Sequence, residues 1–415
     1  MKKVKTPHMR ISIVSLLILF TTVVSGYSQT RLSEMNQNLR YSRYSRISLK
    51  IIPLQHAEKT FTLQFVVDKI EEDPSFDNYL FSYALVESFQ EEITDEMIIA
   101  FDQESLKKNT DRHFLFEEEV TLGANQSEAY AVFMAKDTRQ GDEYVYHMDL
   151  ISPYVPSHPK FGAYFGNDIP FDQQYLNVGE SLLFKSSGAI NLHQFFYPQE
   201  FPLPLPPMET KPAPVAKDIE VDYRGSFLVN VPQPFEDRGY YFIQDDTTSN
   251  NGLLIKTTPK SFPTVSTWEE MIQMVTYIST RQEHENLLKA ENKKLALDEY
   301  WIRMTRSEEK AKNLIREYFR QVEFANLLFT DFKEGWATDR GMVYIIMGPP
   351  SEVYFELDRE SWIYLSNNSN SRITFTFARI KNILTPNYYT LNRSRAYQPE
   401  WFKTITAWRN GMMVF

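Results

Sequence analysis

The run from Gly335 to Glu352 constrains this chain more than any other stretch. Gly335-Trp336-Ala337-Thr338 leads into Asp339-Arg340-Gly341, then the apolar segment 342–347, then Gly348-Pro349-Pro350 and Ser351-Glu352. Asp and Gly are turn formers, so the expectation is a charged turn that sets the register of a strand at 342–347, with Trp336 as a buried plug. Asp339 would accept backbone N–H bonds, and Arg340 would pack or pair with Glu352. Gly348-Pro349-Pro350 reads as a stiff structural turn, since two prolines remove the donors an anion nest requires. The competing reading gathers Asp339, Arg340 and Glu352 around a ligand, because ion-pair networks and pockets use the same residue types.

The rest of the chain gives that run its setting. At 415 residues there is room for two to four domains. From Ile47 to Pro153 the apolar pattern is mostly period two, as in Phe61-Thr62-Leu63-Gln64-Phe65 and Tyr79-Leu80-Phe81-Ser82-Tyr83. That pattern predicts an antiparallel β-sandwich-like domain over 46–155, with 100–109 a less regular connection. A second β-rich domain follows over 160–260. It is interrupted by the proline-rich stretch 197–207, continued at Pro212 and Pro214, which must be extended. That stretch reads as a long inter-strand crossover or as a polyproline ligand for a partner. A helical segment spans 265–331: Thr267 to Glu270 forms a capping box, a charged helix covers about 281–303, and Ser307 opens another. The stripe Leu314, Ile315, Tyr318, Phe319, Val322, Ala325, Phe329 on that last helix is core-like. A small α+β domain over 332–415 closes the chain, with strands at 362–364 and 372–378 and a helix that begins at Pro399 and aligns Trp401, Ile405 and Trp408. The fold class is therefore multi-domain and β-rich: antiparallel β-sandwich-like modules, a helical segment, and a C-terminal small α+β domain.

The N-terminus reads as a cleaved signal peptide, 1–28: Lys2, Lys3, Lys5 and Arg10 precede the apolar run Ile11–Val24, and Gly26 and Ser28 supply small residues before the cut. Residues 29–45 are polar and read as an exposed leader. Cleavage removes four of the 44 basic residues and none of the 54 acidic ones, so the mature charge is 40 minus 54, or −14. That sign disfavours nucleic acid as a partner. No later segment has the length and apolarity of a transmembrane helix. Zero cysteines remove disulfides, thiolate nucleophiles, Cys-ligated zinc, iron–sulfur clusters and a lipid-anchored cysteine.

The residues Gly335-Trp336-Ala337-Thr338-Asp339, followed by Arg340-Gly341 and Gly348-Pro349-Pro350, resemble the GWxTD-domain proteins, exported envelope-directed proteins common among Bacteroidetes. The likeness extends upstream through Leu297-Asp298-Glu299-Tyr300-Trp301, Tyr318-Phe319-Arg320 and Phe324-Ala325-Asn326, and Met304-Thr305-Arg306 replaces the acidic-Pro turn usual in the family. The resemblance implies export and a modular β architecture; it implies no reaction and no catalytic residues.

Signatures of chemistry are missing. The seven histidines, His8, His56, His113, His147, His158, His193 and His284, are scattered singly. There is no paired-histidine zinc motif, no nucleophile elbow and no phosphate loop. No cofactor or metal is expected. Glu299 and Asp298 flank Trp301 and form a carboxylate pair that would serve acid–base work only if the fold opened a cleft beside it. The candidate ligand or structural residues are Trp336, Thr338, Asp339, Arg340, Glu352 and Glu299. The tail 370–415 carries seven basic residues and only Glu400 as an acid, interleaved with aromatics. In an acidic exported protein this fits docking onto the protein's own acidic helices, the preferred reading, or onto acidic glycan or lipid head groups. The expected role is an exported envelope binding or scaffold protein, periplasmic or outer-envelope associated, recognising an envelope protein or polymer. The alternative is an envelope hydrolase with the acidic residues of 332–415 in a cleft.

Overall fold

Inward-facing phenylalanines on alternate positions build the first sandwich. A computed structural model describes residues 30–71, 74–155, 157–198, 200–210, 220–365, 372–382 and 385–412; residues 1–28, expected to be a signal peptide, and Pro212 and Pro214 lie outside them. One sheet orders the strands Ile47–Ala57, Thr60–Lys69, His113–Thr121 and Leu106–Asn109; the other orders Glu143–Ile151, Ala129–Asp137, Tyr79–Val86 and Ile99–Phe101. All pairs are antiparallel. Between the sheets, Phe65 meets Phe133 at 5.0 Å and Phe101 stacks on Phe116 at 4.4 Å. The 100–109 connection thus contributes a short strand to each sheet.

The strand Ala129–Asp137 is buried on both faces, which is why its sequence runs apolar without alternating. Ala131, Phe133 and Ala135 face the sandwich core. Tyr130, Val132 and Met134 join Val86 and Val145 in a second core shared with the C-terminal unit. The outer face of this sheet is therefore a packing surface.

The second β module joins a five-stranded sheet (Tyr175–Asn177, Leu253–Thr258, Tyr240–Gln244, Asn191–Tyr197, Tyr223–Leu228) to a three-stranded one (Phe161–Tyr164, Ser181–Ser186, Pro232–Pro234). Phe184, Leu192, Tyr241 and Ile255 fill the space between.

Among the described residues six α-helices follow: α1 Trp268–Met274, α2 Arg281–Lys289, α3 Lys293–Thr305, α4 Glu308–Phe329, α5 Asp339–Met347 and α6 Gln398–Arg409. The capping box at Thr267 and the cap at Ser307 form as expected. The charged helix expected over 281–303 is two helices, because Ala290 turns to an extended conformation and Asn292 caps a new start. A four-stranded antiparallel meander, Glu352–Glu356, Arg359–Leu365, Arg372–Arg379 and Tyr389–Leu391, packs against α4 and α5.

Two expectations are overturned. Residues 342–347 are helical: Thr338 caps α5 by accepting the Gly341 N–H, and the helix is buried around its whole circumference. An all-apolar run six residues long has no period that separates strand from helix. Residues 30–45 are no exposed leader either. Leu32, Met35 and Tyr41 are buried in the C-terminal core, Tyr344 Oη donates to the Tyr41 carbonyl, and Arg43 pairs with Glu317 on α4. A few apolar residues at irregular spacing suffice to bury a segment that is polar on average.

Two buried polar joints tie the sandwich to the meander. Arg379 pairs with Asp149 at 2.8 Å, both side chains almost fully buried. His147 Nδ1 lies 3.1 Å from Gln37 Oε1, and its ring meets Phe355 edge-on at 4.6 Å. Burial, aided by the positive charges of Arg40 and Arg379, pushes the His147 imidazole well below its ordinary value. In the acid range only the unfolded chain protonates this group, so its contribution to stability is present at neutral pH and lost as pH falls below about 6.5. The melting temperature of the wild type should therefore fall more steeply between about pH 7.5 and 5.5 than that of His147→Gln. Parallel curves in a thermal-shift series would remove His147 from the joint.

Candidate functional site: a sealed tryptophan-centred motif

The motif backbone lies flat against α4. A Cβ added to Gly335 would sit 1.9 Å from the Ala325 carbonyl oxygen, and one added to Gly341 would sit 1.8 Å from the Gly335 carbonyl oxygen. Glycine is used at both places for close approach of one backbone to another. The Trp336 N–H donates to Asn326 Oδ1 at 3.0 Å, and the Gly335 N–H donates to Thr330 Oγ1 at 2.9 Å. Thr338 Oγ1 donates to the Gly335 carbonyl and accepts from Gly341. The Trp336 ring is buried as a plug, its indole N–H on Glu334, while Tyr277 Oη donates to its carbonyl.

Asp339 and Arg340 point into the protein in different directions. Asp339 accepts the Leu391 N–H at 2.8 Å and pairs with Arg393 at 2.5 Å. Arg340 pairs with Glu360 at 3.2 Å, donates to the Asn387 carbonyl at 3.0 Å and lies over the Tyr389 ring. Burial disfavours the Arg340 charge, but Glu360 together with Tyr41, Tyr389 and Asp331 more than offsets it and holds the guanidinium above its usual range. Glu360 is fully buried and also accepts the Trp362 indole N–H. Such a pair is consistent with a well-satisfied internal network.

The other sequence candidates lie elsewhere. Arg340 does not pair with Glu352, which sits at the start of a strand 3.9 Å from Arg372. Glu299 is exposed on α3, and the neighbouring Asp298 pairs with Lys294. Trp336, Thr338, Asp339 and Arg340 are thus brought together; Glu352 and Glu299 make no hydrogen bond or ion pair with them among the described residues. Arg393, Glu360, Asn326 and Thr330 complete the site, and sequence reasoning missed them. Glu360 carried a usable signal, since it shares strand parity with Trp362 and Tyr364 and so had to face inward. The basic tail meets acids of the protein's own helices in part, Arg393 on Asp339 of α5 and Arg409 on Glu283 of α2, whereas Arg379 pairs with Asp149 on a strand of the first sandwich.

Just before the motif, a second charged group gathers at the boundary with the second β module. Arg238 pairs with Glu334 at 2.7 Å, and Lys256 is buried with its ammonium 4.3 Å from the Tyr240 ring centre. Burial, only partly opposed by Glu334, lowers Lys256 to about 8, and burial raises Asp331 to about 6. Two small depressions, one lined by Phe262, Val265 and Glu334 and one by Leu39, Arg40 and Tyr146, have volumes of about 10 and 20 Å³, close to the size of a water. Among the described residues no group of three or more His, Asp or Glu is placed to hold a metal.

These features define a class: a β-rich protein whose C-terminal α+β unit is closed around a motif with its polar groups turned inward. Residues 239–410 match the family model of the GWxTD domain, and the chain is a GWxTD domain-containing protein. The match begins inside the second β module, at the strands that carry Tyr240 and Lys256. No curated protein matches the chain.

Because Gly341 faces backbone, Gly341→Ala should destabilise by overpacking, about 1–3 kcal/mol or more. Trp336→Ala should cost about 3–5 kcal/mol through loss of a buried aromatic. Urea unfolding of both variants checks this, and midpoints equal to wild type would refute the plug.

Proposed function

We propose that this protein is an exported cell-envelope scaffold that binds an envelope protein or polymer, with the GWxTD unit as the part that fixes its modules to one another. The observation that carries this reading is the engagement of Thr338, Asp339 and Arg340 in bonds internal to the protein. A hydrolase would need a carboxylate or nucleophile free to meet water and substrate. Asp339 instead accepts from Leu391 and Arg393, and the same Arg393 reaches the Leu205 carbonyl of the second β module. Geometry of this kind serves position and rigidity. Export is supported by the basic and apolar N-terminal residues 1–28, and the acidic balance of the remainder fits partners other than nucleic acid.

Photo-crosslinking in intact cells tests the proposal, with the crosslinker at exposed Leu228 or Phe402. The expected outcome is a reproducible envelope partner. A purified sample that hydrolysed an envelope polymer, and lost that activity in Asp339→Asn with an unchanged melting temperature, would replace the scaffold reading with the enzymatic one.

A further inference from the structure

The strands Asn191–Tyr197 and Tyr223–Leu228 are antiparallel neighbours, with Phe196 opposite Tyr223. Ends so close are joined by a turn of a few residues in most hairpins. Here residues 198–222 intervene. The excursion is therefore no crossover, because no strand lies between its ends. Its described part, 200–210, lies between the second β module, where Phe201 meets Tyr240 edge-on at 5.6 Å, and the GWxTD unit.

The strap is covered at intervals: within 201–208, Phe201, Pro204, Leu205, Pro207 and Met208 are buried or half-buried, whereas Pro202, Leu203 and Pro206 are exposed. Phe201 meets Phe332 edge-on at 4.8 Å, and Phe332 meets Tyr388 at 4.9 Å, which gives an aromatic floor.

Prolines lack an N–H, so a proline-rich strap has few donors for its own carbonyls; the Glu209 N–H donates to the Pro206 carbonyl at 3.0 Å and closes a turn at the end of the strap. The GWxTD unit supplies the donors. Lys333 Nζ donates to the Pro202 carbonyl at 2.8 Å, Arg393 donates to the Leu205 carbonyl through Nη2 at 3.0 Å and Nε at 3.3 Å, and the Ser394 N–H donates to the Pro207 carbonyl at 3.0 Å. Arg393 is held in place by Asp339 of the motif. Aromatic surface plus fixed donors that read carbonyls is the general solution for recognising proline-rich segments.

We propose that this face of the GWxTD unit is a docking groove for a proline-rich extended peptide, occupied in cis by residues 200–208 and open to an equivalent segment of a partner protein. This rests on the scaffold reading and names the chemistry of its partner: an aromatic residue followed by prolines three and six positions later, the spacing of Phe201, Pro204 and Pro207. The tethered strap competes with an incoming peptide at high effective concentration, so the groove engages only partners that outbid or displace it. Asp339 acts here as a positioning residue, through Arg393.

The test frees the groove in the full-length protein by Phe201→Ser, Pro204→Ser and Pro207→Ser together. The probe is a fluorescent peptide with the sequence of residues 200–208. A control peptide carries alanine at the positions of Phe201, Pro204 and Pro207. Fluorescence polarisation should show the probe bound at least tenfold more tightly by the strap variant than by wild type, and the control peptide not bound. Adding Arg393→Lys, which keeps a charge beside Asp339 but loses the forked donor, should weaken binding about tenfold. If the strap variant is too unstable to titrate, millimolar probe should raise its melting temperature. A folded strap variant that ignores the probe, or an unstable one that the probe fails to stabilise, overturns the proposal. Recovery of a cellular partner alongside either result would remove the groove and leave the scaffold reading standing.

Discussion

The close backbone approach of the motif to α4 sets the rest of the C-terminal unit. With no Cβ at Gly335 or Gly341, the chain can lie against Ala325 and turn directly into α5. That fixes the direction in which α5 leaves, and so where Asp339 and Arg340 project. Asp339 then holds Arg393 at one side, and Arg340 holds Glu360 and the Asn387 carbonyl at the other. Each ion pair is buried, and each would be costly to leave half-made. The glycine contact permits the geometry, and the charges make any other geometry unfavourable.

From this centre, order spreads in three directions. The N-terminal segment enters through Tyr41, whose carbonyl accepts from Tyr344 on α5. The first sandwich attaches through the outer face of the Ala129–Asp137 strand and through Arg379 and His147. The second β module attaches through Arg238 on Glu334 on one side and through the proline strap on the other. Residues far apart in sequence, Tyr41 and Tyr344 or Asp149 and Arg379, meet only in the folded chain. The first sandwich and the C-terminal unit therefore share one core, and the second β module, with a core of its own, meets the C-terminal unit in a smaller cluster of Tyr240, Phe242, Leu254 and Phe332.

The fold was legible where the physics is local. Alternation announced the sandwich, the Thr267 capping box announced α1, and Pro399 with Trp401 and Trp408 announced α6. It was not legible where burial is two-sided. Met342 to Met347 is apolar on every face, so its sequence carries no period, and the strand expected there is a helix. The segment 30–45 misled for the opposite reason, since its buried apolar residues, Leu32, Met35 and Tyr41, are few and irregularly spaced, and polar Gln37 is buried with them. The candidate site was half visible. Trp336, Thr338, Asp339 and Arg340 stand together in sequence and in space, but their partners Glu360 and Arg393 lie on other elements. Glu360 and Arg379 each share strand parity with buried aromatics, and that parity was the one clue to their burial.

The central claim is that Asp339 orders distant parts of the chain by fixing Arg393. Hydrogen exchange followed by mass spectrometry on wild type and Asp339→Asn measures this directly. Protection should fall together at three places: the strap 201–209, the turn 331–334 and the segment 387–393. A loss of protection confined to α5, with those three segments exchanging as in wild type, would contradict the account.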